Sequence, residues 1–443
     1  MKILVVGGGI TGLAGALEAA RGGMEVTLVE AENRLGGKVW TETTDNLVIE
    51  HGPDSVINYR PEALGLAREL GLGDSIEEVA SSRVVYMRSG GKLRPLPASM
   101  GIILPARLWP FVTTGILSIP DKLRAGFDLV LPRKLSSGED QSIGEFLAYR
   151  LGPAMVRKFA DPLVGGIYGA SVDDLSLDAV LPSLRQNEDD HRSLLLAARA
   201  TRPRGPQKKG ASPFRSLAGG MGTLIDSLAE ANRNAGVEIV LGEQVEPSIL
   251  DSGEYDHILL AGGVGSSKGL LADHVPEAAA ILSQTPLSSS TVVSLAYDQD
   301  QVGTGAAAHG WLEAQVAPVS GITVSSAKWP GRAPEGTVLL RAFVPARLGA
   351  IAGAPDAELL SAVKSHLGEV MGVRGAPSMT RITRWTNVMP TYTVGHLTRT
   401  QAVEKALELT HVRIAGSAVH GVGLPDCIGS ARRIVQSWKG LQS

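Results

Sequence analysis

The chain has 443 residues, of which 44% are hydrophobic and 20% charged, a composition typical of a globular protein with two or three domains. Its 42 basic and 45 acidic side chains give a formal net charge of −3, which argues against nucleic acid as a partner recruited by an overall basic surface. A single cysteine, Cys427, excludes an internal disulfide and a cysteine-cluster metal site, and we predict no metal site.

The first thirty residues predict a strand, a helix and a second strand. Two short apolar runs rich in β-branched residues, Ile3–Val6 and Val26–Val29, have the character of buried strands. Between them, the alanine-rich segment from Ile10 to Arg21 predicts a helix, which the glycine pair at 22 and 23 ends. The opening segment is therefore a βαβ unit.

A glycine motif occupies the turn between the first strand and the helix. Gly7, Gly9 and Gly12 fit the pattern G-x-G-x-x-G, whose glycines serve the tight turn, the approach of a pyrophosphate and close helix–strand packing. The helix N-terminus adds free N–H groups and partial positive charge. Glu30 ends the second strand, near the spacing expected for an acid that binds ribose hydroxyls. The motif predicts dinucleotide binding; the alternative is a glycine-rich turn in an ordinary α/β unit.

The most apolar segment, residues 108–119, is well short of the roughly 20 residues that a membrane-spanning helix requires. It could instead rest on a membrane surface, line an apolar pocket or belong to the core. The first predicted strand begins beside Met1 and leaves no room for a signal peptide, so we expect a cytoplasmic protein, with peripheral membrane contact left open.

The segment from 60 to 210 is predicted to be mostly helical. Residues 60–78 have a helical rhythm of leucines, and a proline-rich region follows, from about 83 to 205, in which helices are predicted at 143–151 and 154–163 and strong strands are absent. Residues 200–210 are basic and rich in proline and glycine, which predicts an exposed linker.

The α/β pattern returns at Gly219 and continues to the end of the chain. A helix after residue 219 is followed by a buried strand at 257–263. The next hundred residues predict a mixed sheet, with strands at Thr291–Tyr297, Gly321–Ser325 and Thr337–Val344 around a helix at Asp356–Met371. Finally, Val412–Ala415 predicts a strand, and Asp426 is predicted to cap a terminal helix.

These patterns predict an α/β fold in which a Rossmann-like dinucleotide-binding domain is discontinuous, with a mixed-sheet substrate domain and an inserted, mostly helical domain. The predicted dinucleotide-binding domain comprises residues 1–58, 211–285 and 396–443. The predicted substrate domain comprises 59–82 and 286–395, and the inserted helical domain, which would face substrate or membrane, comprises 83–210.

Several further segments resemble a known family. "RLGGK" (34–38) and "EHGPDS" (50–55) resemble the FAD-binding signature of the amine oxidase and phytoene desaturase superfamily. Within it, the chain is similar to the oxygen-dependent porphyrinogen oxidases, above all the Gram-positive-type coproporphyrinogen III oxidases. The segments that carry this resemblance are "RPLP" (94–97), "PFVTTGILS" (110–118), "DQSIGEF" (140–146), "GGIYGAS" (165–171), "HRSLLL" (191–196), "TRW" (383–385) and "GVGLPDCI" (421–428).

The resemblance implies a flavin oxidase of heme biosynthesis. Coproporphyrinogen III, or alternatively protoporphyrinogen IX, would lose six electrons through FAD to O2, giving hydrogen peroxide. Transient contact with neighbouring enzymes of the heme pathway is left open. An amine oxidase, a carotenoid desaturase, and a flavoprotein that binds porphyrin without turnover remain as less favoured alternatives.

The resemblance also implies which residues contact FAD. Carried over by position, the cofactor-binding residues are Gly7, Gly8, Gly9, Ile10, Thr11 and Gly12 at the pyrophosphate, Glu30 and Ala31 at the adenosine ribose, Lys38, Gly52, Pro53, Asp54 and Ser55 at the middle of the cofactor, Val245 at the adenine, and Trp385, Val422, Gly423 and Leu424 at the isoalloxazine. The short segment after Val245 and the "LAGGVGSS" at 260–267 depart from the family pattern and put adenine-end contacts in doubt.

Substrate contacts are implied at two positions. Arg83 matches a position associated with a substrate propionate, and Gly169 matches a position where backbone passes close to the macrocycle. A surface arginine and a turn glycine are the respective alternatives. Arg88, Lys92 and Arg94 supply further cations for propionates. The sequence identifies no catalytic acid or base, since the flavin carries the redox chemistry.

Overall fold

The structure, a computed structural model, describes residues 1–79, 85–97, 112–134, 139–200, 212–303 and 305–439. The strands in chain order are β1 (Lys2–Val6), β2 (Glu25–Glu30), β3 (Thr41–Thr44), β4 (Leu47–Glu50), β5 (Val56–Ile57), β6 (Ile76–Glu78), β7 (Val85–Ser89), β8 (Lys92–Pro95), β9 (Phe214–Leu217), β10 (Glu238–Leu241), β11 (His257–Leu260), β12 (Leu287–Asp298), β13 (Gly310–Glu313), β14 (Gly321–Val324), β15 (Thr337–Pro345), β16 (Met379–Pro390) and β17 (Val412–Ile414).

The α-helices in chain order are α1 (Ile10–Arg21), α2 (Pro61–Glu69), α3 (Ile119–Gly126), α4 (Ile143–Leu151), α5 (Pro153–Met155), α6 (Gly166–Tyr168), α7 (Leu177–Val180), α8 (Pro182–His191), α9 (Leu194–Ala200), α10 (Gly222–Asn234), α11 (Val264–Leu271), α12 (Pro276–Leu282), α13 (Ser325–Lys328), α14 (Ala350–Gly353), α15 (Asp356–Met371), α16 (His396–Leu407) and α17 (Leu424–Lys439). A π-helix covers Val156–Gly165.

The chain divides into two compact units. Unit 1 comprises the described parts of Met1–Glu78, Pro213–Pro286 and Leu397–Ser443, and unit 2 those of Val79–Ser212 and Leu287–His396. The assignment of a dinucleotide, a substrate and an inserted domain within them stays a prediction.

Unit 1 is built on a parallel sheet in the order β10-β2-β1-β11-β17. The chain enters at the central strand β1 and continues to β2 on one side, whereas β11 and β17 lie on the other. The strand order therefore reverses at β1, and the crevice at the carboxyl ends of strands at such a point is where open α/β sheets bind ligands. The glycine loop follows β1 at this edge.

Helix α1 packs on this sheet because its inner face is apolar and small. Leu13, Ala16 and Leu17 are buried with Ile3 and Leu28 in one core cluster. This cluster also includes residues of α2, α10 and α17. Burial of aliphatic side chains, about 1.5–3 kcal/mol for each large one, is what holds the loop between β1 and α1 in place.

Unit 2 contains a seven-stranded mixed sheet and a helical subcore. The sheet order is β16-β12-β15-β14-β13-β7-β8, with only the β13–β7 pair parallel among the pairs described. Helix α15 packs its buried Leu359, Val363 and Leu367 into the core of this sheet. A separate cluster around Phe146 and Phe159 forms the helical subcore.

A buried ion cluster links separate segments of the helical subcore. Arg150 is fully buried; its Nε donates to Asp128 Oδ1 at 2.6 Å, and its Nη1 donates to Glu188 Oε1 at 3.2 Å. Three backbone carbonyls accept its remaining N–H groups, so the guanidinium is satisfied within the protein. This is a structural role, because none of its donors is left for a ligand.

Three sequence-based element predictions are wrong in detail. The helix predicted over 60–78 ends at Glu69, because Gly71 adopts φ +79° and a 3-10 turn and β6 follow. The region predicted to lack strands contributes β7 and β8 to the sheet of unit 2. The predicted helix at 154–163 is largely a π-helix, whose interior Pro162 lacks the N–H of a regular helical ladder.

Two predicted segments fall wholly or mainly outside the described residues. Of the linker at 200–210 only residue 200 is described, and of the apolar segment at 108–119 only residues 112–119. Within the described ranges, helices long and apolar enough to cross a membrane are absent.

Candidate cofactor site

The loop between β1 and α1 is shaped by two glycines that the fold itself requires. Gly7 has φ +110°, a conformation that L side chains rarely adopt, and its N–H donates to Val29 O at 2.8 Å. A Cβ on Gly12 would lie 1.9 Å from Gly7 O, so α1 can approach the loop only with glycine there. These two positions fulfil the turn and packing roles that the sequence motif predicts.

Gly9 differs from both, because neither its backbone conformation nor a close contact within the protein requires glycine at this position. It caps the N-terminus of α1 with ordinary extended backbone, φ −72° and ψ 177°, and no described side chain supplies a capping hydrogen bond there. A Cβ on Gly9 would meet nothing within 4 Å. The open space beside Gly9, next to uncapped helix N–H groups, fits a phosphate group of a ligand. Ile10 and Thr11, the next two residues, are buried in the first turn of α1.

Glu30 is oriented toward the same loop. Its carboxylate accepts a hydrogen bond from Gly8 N–H at 2.5 Å and another from Glu32 N–H at 2.9 Å. Gly8 leaves room for this contact, since a Cβ there would lie 2.9 Å from Glu30 Cβ and 2.6 Å from Leu35 Cδ2. The carboxylate is therefore held at the end of β2, as the predicted ribose contact requires. Ala31 follows it and is exposed.

Val245 lies beyond the neighbouring strand end. Leu241, the last residue of β10, pairs with Glu30, and Glu243 N–H donates to Glu30 O at 3.2 Å. Val245 follows two residues later and is half-buried. The parallel strands β2 and β10 thus place the predicted adenine and ribose contacts at one edge of the sheet.

Lys38 and Gly52 lie in backbone contact. A Cβ on Gly52 would be 1.8 Å from Lys38 O, so only glycine lets the two segments meet. The Lys38 ammonium donates to Ser417 Oγ at 3.5 Å, a long bond, and burial lowers its pKa from the ordinary lysine value. An anionic ligand would offset that burial cost, because an opposite charge nearby favours the protonated form.

The segment after Gly52 is fixed by hydrogen bonds within unit 1. Ser55 Oγ donates to Asp54 Oδ1 at 2.7 Å, and Ser216 Oγ donates to Asp54 O at 2.8 Å. Pro53, Asp54 and Ser55 are all half-buried.

A tight turn leads into the terminal helix α17. Gly421 has φ +124°, and Val422, Gly423 and Leu424 continue from it into the helix, partly exposed. Cys427 N–H donates to Gly423 O at 3.0 Å, so Gly423 stands at the start of the helical hydrogen-bond pattern. The first N–H groups of a 16-residue helix therefore lie at the predicted isoalloxazine contacts.

Asp426 does not cap this helix, and that prediction is wrong. It is the third residue of α17, which begins at Leu424, and its Oδ1 accepts a hydrogen bond from Arg60 Nη2 at 2.5 Å. Cys427 beside it is buried, and burial raises the pKa of its thiol, so it is a small apolar residue rather than a reactive thiolate.

The remaining predicted site residues lie in unit 2 or outside the described residues. Trp385 is in β16 and pairs with Ser290 of β12. Gly169 ends α6 with φ +65°, and a Cβ there would lie 3.1 Å from Ser288 Oγ, which explains the glycine as a left-handed helix end. Arg83 is outside the described residues. The roles of all three stay predictions.

Arg88 is not a free cation for a substrate propionate. It forms an ion pair with Glu369, and its Nη1 lies 3.6 Å from Glu313 Oε2. Glu313 in turn contacts His366 Nε2 at 2.9 Å. Arg88 is thus part of a charge network that is buried except at Glu369, whereas Lys92 is exposed and Arg94 half-buried on β8.

Two residues at the site were not found from the sequence. Ser417 contacts Lys38, and Arg60 contacts Asp426 across 366 positions of the chain. The sequence carries no local signal for either pairing, because both depend on how distant segments of unit 1 fold together. Arg60 precedes the proline that starts α2, and this position at a helix start is the only hint of a fixed side chain.

The residues of unit 1 fit a bound dinucleotide. The uncapped helix N-terminus and the open space at Gly9 would suit a pyrophosphate, and the held Glu30 carboxylate would suit a ribose. The half-buried Lys38 would suit an anionic middle segment. Within the described ranges, groups of His, Cys, Asp or Glu that could hold a metal ion are absent.

Comparison with known proteins identifies a flavoprotein family for the chain. The family profile described as flavin-containing amine oxidoreductase matches residues 10–437. The coproporphyrinogen III oxidase of Propionibacterium freudenreichii subsp. freudenreichii is 49% identical over 470 residues, covering 97% of this chain and 89% of that protein. The coproporphyrinogen III oxidase of Bacillus subtilis (strain 168) is 33% identical, covering 98% and 97%.

A solved structure shows the same fold. A crystal structure from Exiguobacterium sp. 255-15, named there provisionally a protoporphyrinogen oxidase, superposes with a TM-score of 0.85 at 31% identity and covers 100% of this chain and 99% of that one.

Proposed function

The chain belongs to the flavin-containing amine oxidoreductase family, and from this premise we propose that it oxidises coproporphyrinogen III to coproporphyrin III with O2. The observation that carries the proposal is 49% identity to a coproporphyrinogen III oxidase over 97% of this chain. The chain is an oxidoreductase with an amine oxidase-like flavoprotein fold, and its cofactor is FAD, as the sequence analysis predicted.

The proposed reaction removes six electrons and six protons from the porphyrinogen, which becomes the aromatic porphyrin. When bound, FAD would supply the two-electron redox chemistry that links the porphyrinogen to O2. The balance is therefore three O2 consumed and three H2O2 released for each porphyrin formed. This stoichiometry supplies a direct check on the reaction.

The protein residues bind and orient the cofactor. The N-terminus of α1, with Gly9 open beside it, would hold the pyrophosphate, and the Glu30 carboxylate would accept from ribose hydroxyls. Lys38 would neutralise phosphate charge near the middle of the cofactor. The N-terminus of α17 would stabilise negative charge that develops at the flavin carbonyl edge. We assign no catalytic acid or base.

The substrate carries charged propionates, four in coproporphyrinogen and two in protoporphyrinogen. Burial of an unpaired carboxylate costs free energy, so the two additional propionates of coproporphyrinogen need cations or water beside them. Arg94 and Lys92 on β8, half-buried and exposed respectively, are candidate cations for that purpose, and Arg83 stays a predicted contact. These cations support coproporphyrinogen as the preferred substrate, with protoporphyrinogen as the alternative.

The test compares kcat/KM for both porphyrinogens under air, following porphyrin fluorescence and peroxide together. We expect oxidation of coproporphyrinogen III at least as fast as that of protoporphyrinogen IX. A strong preference for protoporphyrinogen would replace the substrate assignment. Bound FAD without activity on either would favour an amine oxidase, a desaturase or a porphyrin-binding flavoprotein without turnover.

We also propose a cytoplasmic protein with peripheral membrane contact through an apolar stripe on unit 2. The stripe consists of Ile119, Leu123, Phe127 and Val130, which are 58–73% exposed. Their spacing places them along one side of α3 and the turn after it. Exposed apolar rows of this kind, with Arg133 and Lys134 close in sequence, fit an interfacial helix on anionic lipid.

Cosedimentation with phosphatidylglycerol-containing vesicles tests the stripe. We expect binding by the FAD-loaded protein and its loss in the double variant Leu123→Asp, Phe127→Asp, which replaces exposed residues only. Equal sedimentation of both proteins would refute the proposal. Contact with neighbouring heme-pathway enzymes stays a prediction.

A further inference from the structure

An ion pair between Arg60 and Asp426 stands directly at the start of helix α17. Arg60 Nη2 donates to Asp426 Oδ1 at 2.5 Å, and the two side chains are 38% and 27% exposed. Arg60 is fixed at the N-cap of α2 and also lies 3.6 Å from Glu62 Oε1. The pair therefore connects the N-terminal ends of two helices.

The Asp426 carboxylate is packed against the turn that carries Val422, Gly423 and Leu424. A Cβ on Gly423 would lie 2.7 Å from Asp426 Oδ2, and a Cβ on Gly421 would lie 2.6 Å from Asp426 Cβ. Both glycines are therefore needed for this carboxylate to occupy its position. A full negative charge lies against the backbone that the proposed function assigns to the flavin.

This placement creates an electrostatic conflict that Arg60 relieves. A flavin gains negative charge on reduction, and a carboxylate at the same turn opposes that gain, although the N-terminus of α17 favours it. The guanidinium, in direct contact with the carboxylate, cancels most of its field. Lys38, Glu62 and Arg433 are further charged groups near these segments, and none of them contacts Asp426 among the hydrogen bonds and ion pairs described.

We propose that Arg60 is a positioning residue that sets the reduction potential of the bound FAD through Asp426. This inference rests on the proposed function, because it requires the flavin at α17. It assigns Arg60 no contact with flavin or substrate. Its effect is to hold and neutralise the carboxylate, so that reduction of the cofactor stays favourable.

The test is the midpoint potential of FAD-loaded variants, measured by anaerobic spectrophotometric titration against a reference dye. Arg60→Gln exposes the carboxylate and should weaken binding of reduced relative to oxidised FAD about tenfold, which corresponds to about 30 mV toward negative potential for a two-electron couple. Asp426→Asn should shift the potential in the opposite direction. The double variant, and Arg60→Lys, should lie close to the wild type.

A matched control separates this effect from simple loss of an ion pair. Arg432 of α17 donates to Glu69 of α2 at 2.6 Å, so this second ion pair joins the same two helices away from the turn. Arg432→Gln should lower thermal stability but leave the potential unchanged.

The outcomes distinguish this inference from the proposed function. An Arg60→Gln protein with the wild-type potential, in an enzyme that binds FAD and oxidises porphyrinogen, would overturn the inference alone. The same shift in Arg60→Gln and Asp426→Asn, without recovery in the double variant, would also overturn it. A wild-type protein that binds no FAD would overturn both.

Discussion

Replacement of Gly9 by valine should abolish FAD binding without harming the fold. Gly9 is the one motif glycine whose added Cβ meets nothing within 4 Å, whereas a Cβ on Gly12 would lie 1.9 Å from Gly7 O. Its φ of −72° is open to any residue. The space that valine would fill is the space we assign to the pyrophosphate.

The expected magnitudes follow from this geometry. Loss of a favourable glycine N-cap lowers the free energy of unfolding by up to about 1 kcal/mol. The reduced entropy of the unfolded chain raises it by about 0.4–1 kcal/mol. The FAD-free variant should therefore unfold within about 1 kcal/mol of the FAD-free wild type. FAD affinity should fall at least about a hundredfold, which is about 2.7 kcal/mol.

The assay pairs FAD titration of the apoprotein, followed by flavin fluorescence, with thermal unfolding of the same FAD-free samples. Gly65→Val is the control, because Gly65 lies inside α2 and its added Cβ also meets nothing within 4 Å. It should keep full FAD affinity. A Gly9→Val protein that binds FAD normally would refute the reasoning and leave the motif as a turn.

Three further predictions concern individual side chains. Glu30→Ala should weaken FAD binding by about 1.5–3 kcal/mol, the value of hydrogen bonds to a charged group, and unchanged affinity by calorimetry would contradict the ribose role. The hydrogen bond from Arg432 holds the pKa of Glu69 below its ordinary value, so the pair stabilises the folded chain above the carboxyl's unfolded pKa and less as pH falls. Glu69→Gln should accordingly lower the free energy of unfolding by under about 1 kcal/mol at pH 7, with the difference narrowing below about pH 4; a constant gap would refute this. Because burial raises the pKa of the Cys427 thiol, a chromogenic disulfide reagent should label it at pH 7.5 only after unfolding, and rapid labelling of the folded protein would contradict its buried role.

The opening βαβ unit was predictable because local pattern and tertiary structure agree there. The predicted helix from Ile10 to Arg21 has those same limits in the structure, as does the helix at Asp356–Met371. In each case apolar periodicity, glycine stops and burial all favour the same element. The role of Gly12 followed from the motif alone, and its close approach to Gly7 explains why.

Long-range pairings could not be predicted. Strand β7 is short and polar in part; it forms a local antiparallel hairpin with β8, but its parallel pairing with β13 joins segments more than two hundred residues apart. Asp426 was predicted to be a helix cap from its position after a glycine-rich turn, but the helix starts two residues earlier and the carboxylate pairs with Arg60. A single sequence does not identify such pairing partners, because the packing of distant segments determines them.

The most direct test of the account is the stoichiometry of the proposed reaction in the FAD-loaded enzyme. Under air, with coproporphyrinogen III limiting and its spontaneous oxidation subtracted, porphyrin and peroxide are quantified in the same sample. We expect three H2O2 for each coproporphyrin III formed, at a rate proportional to bound FAD. A protein that carries FAD but forms no porphyrin above the spontaneous rate would contradict the central claim.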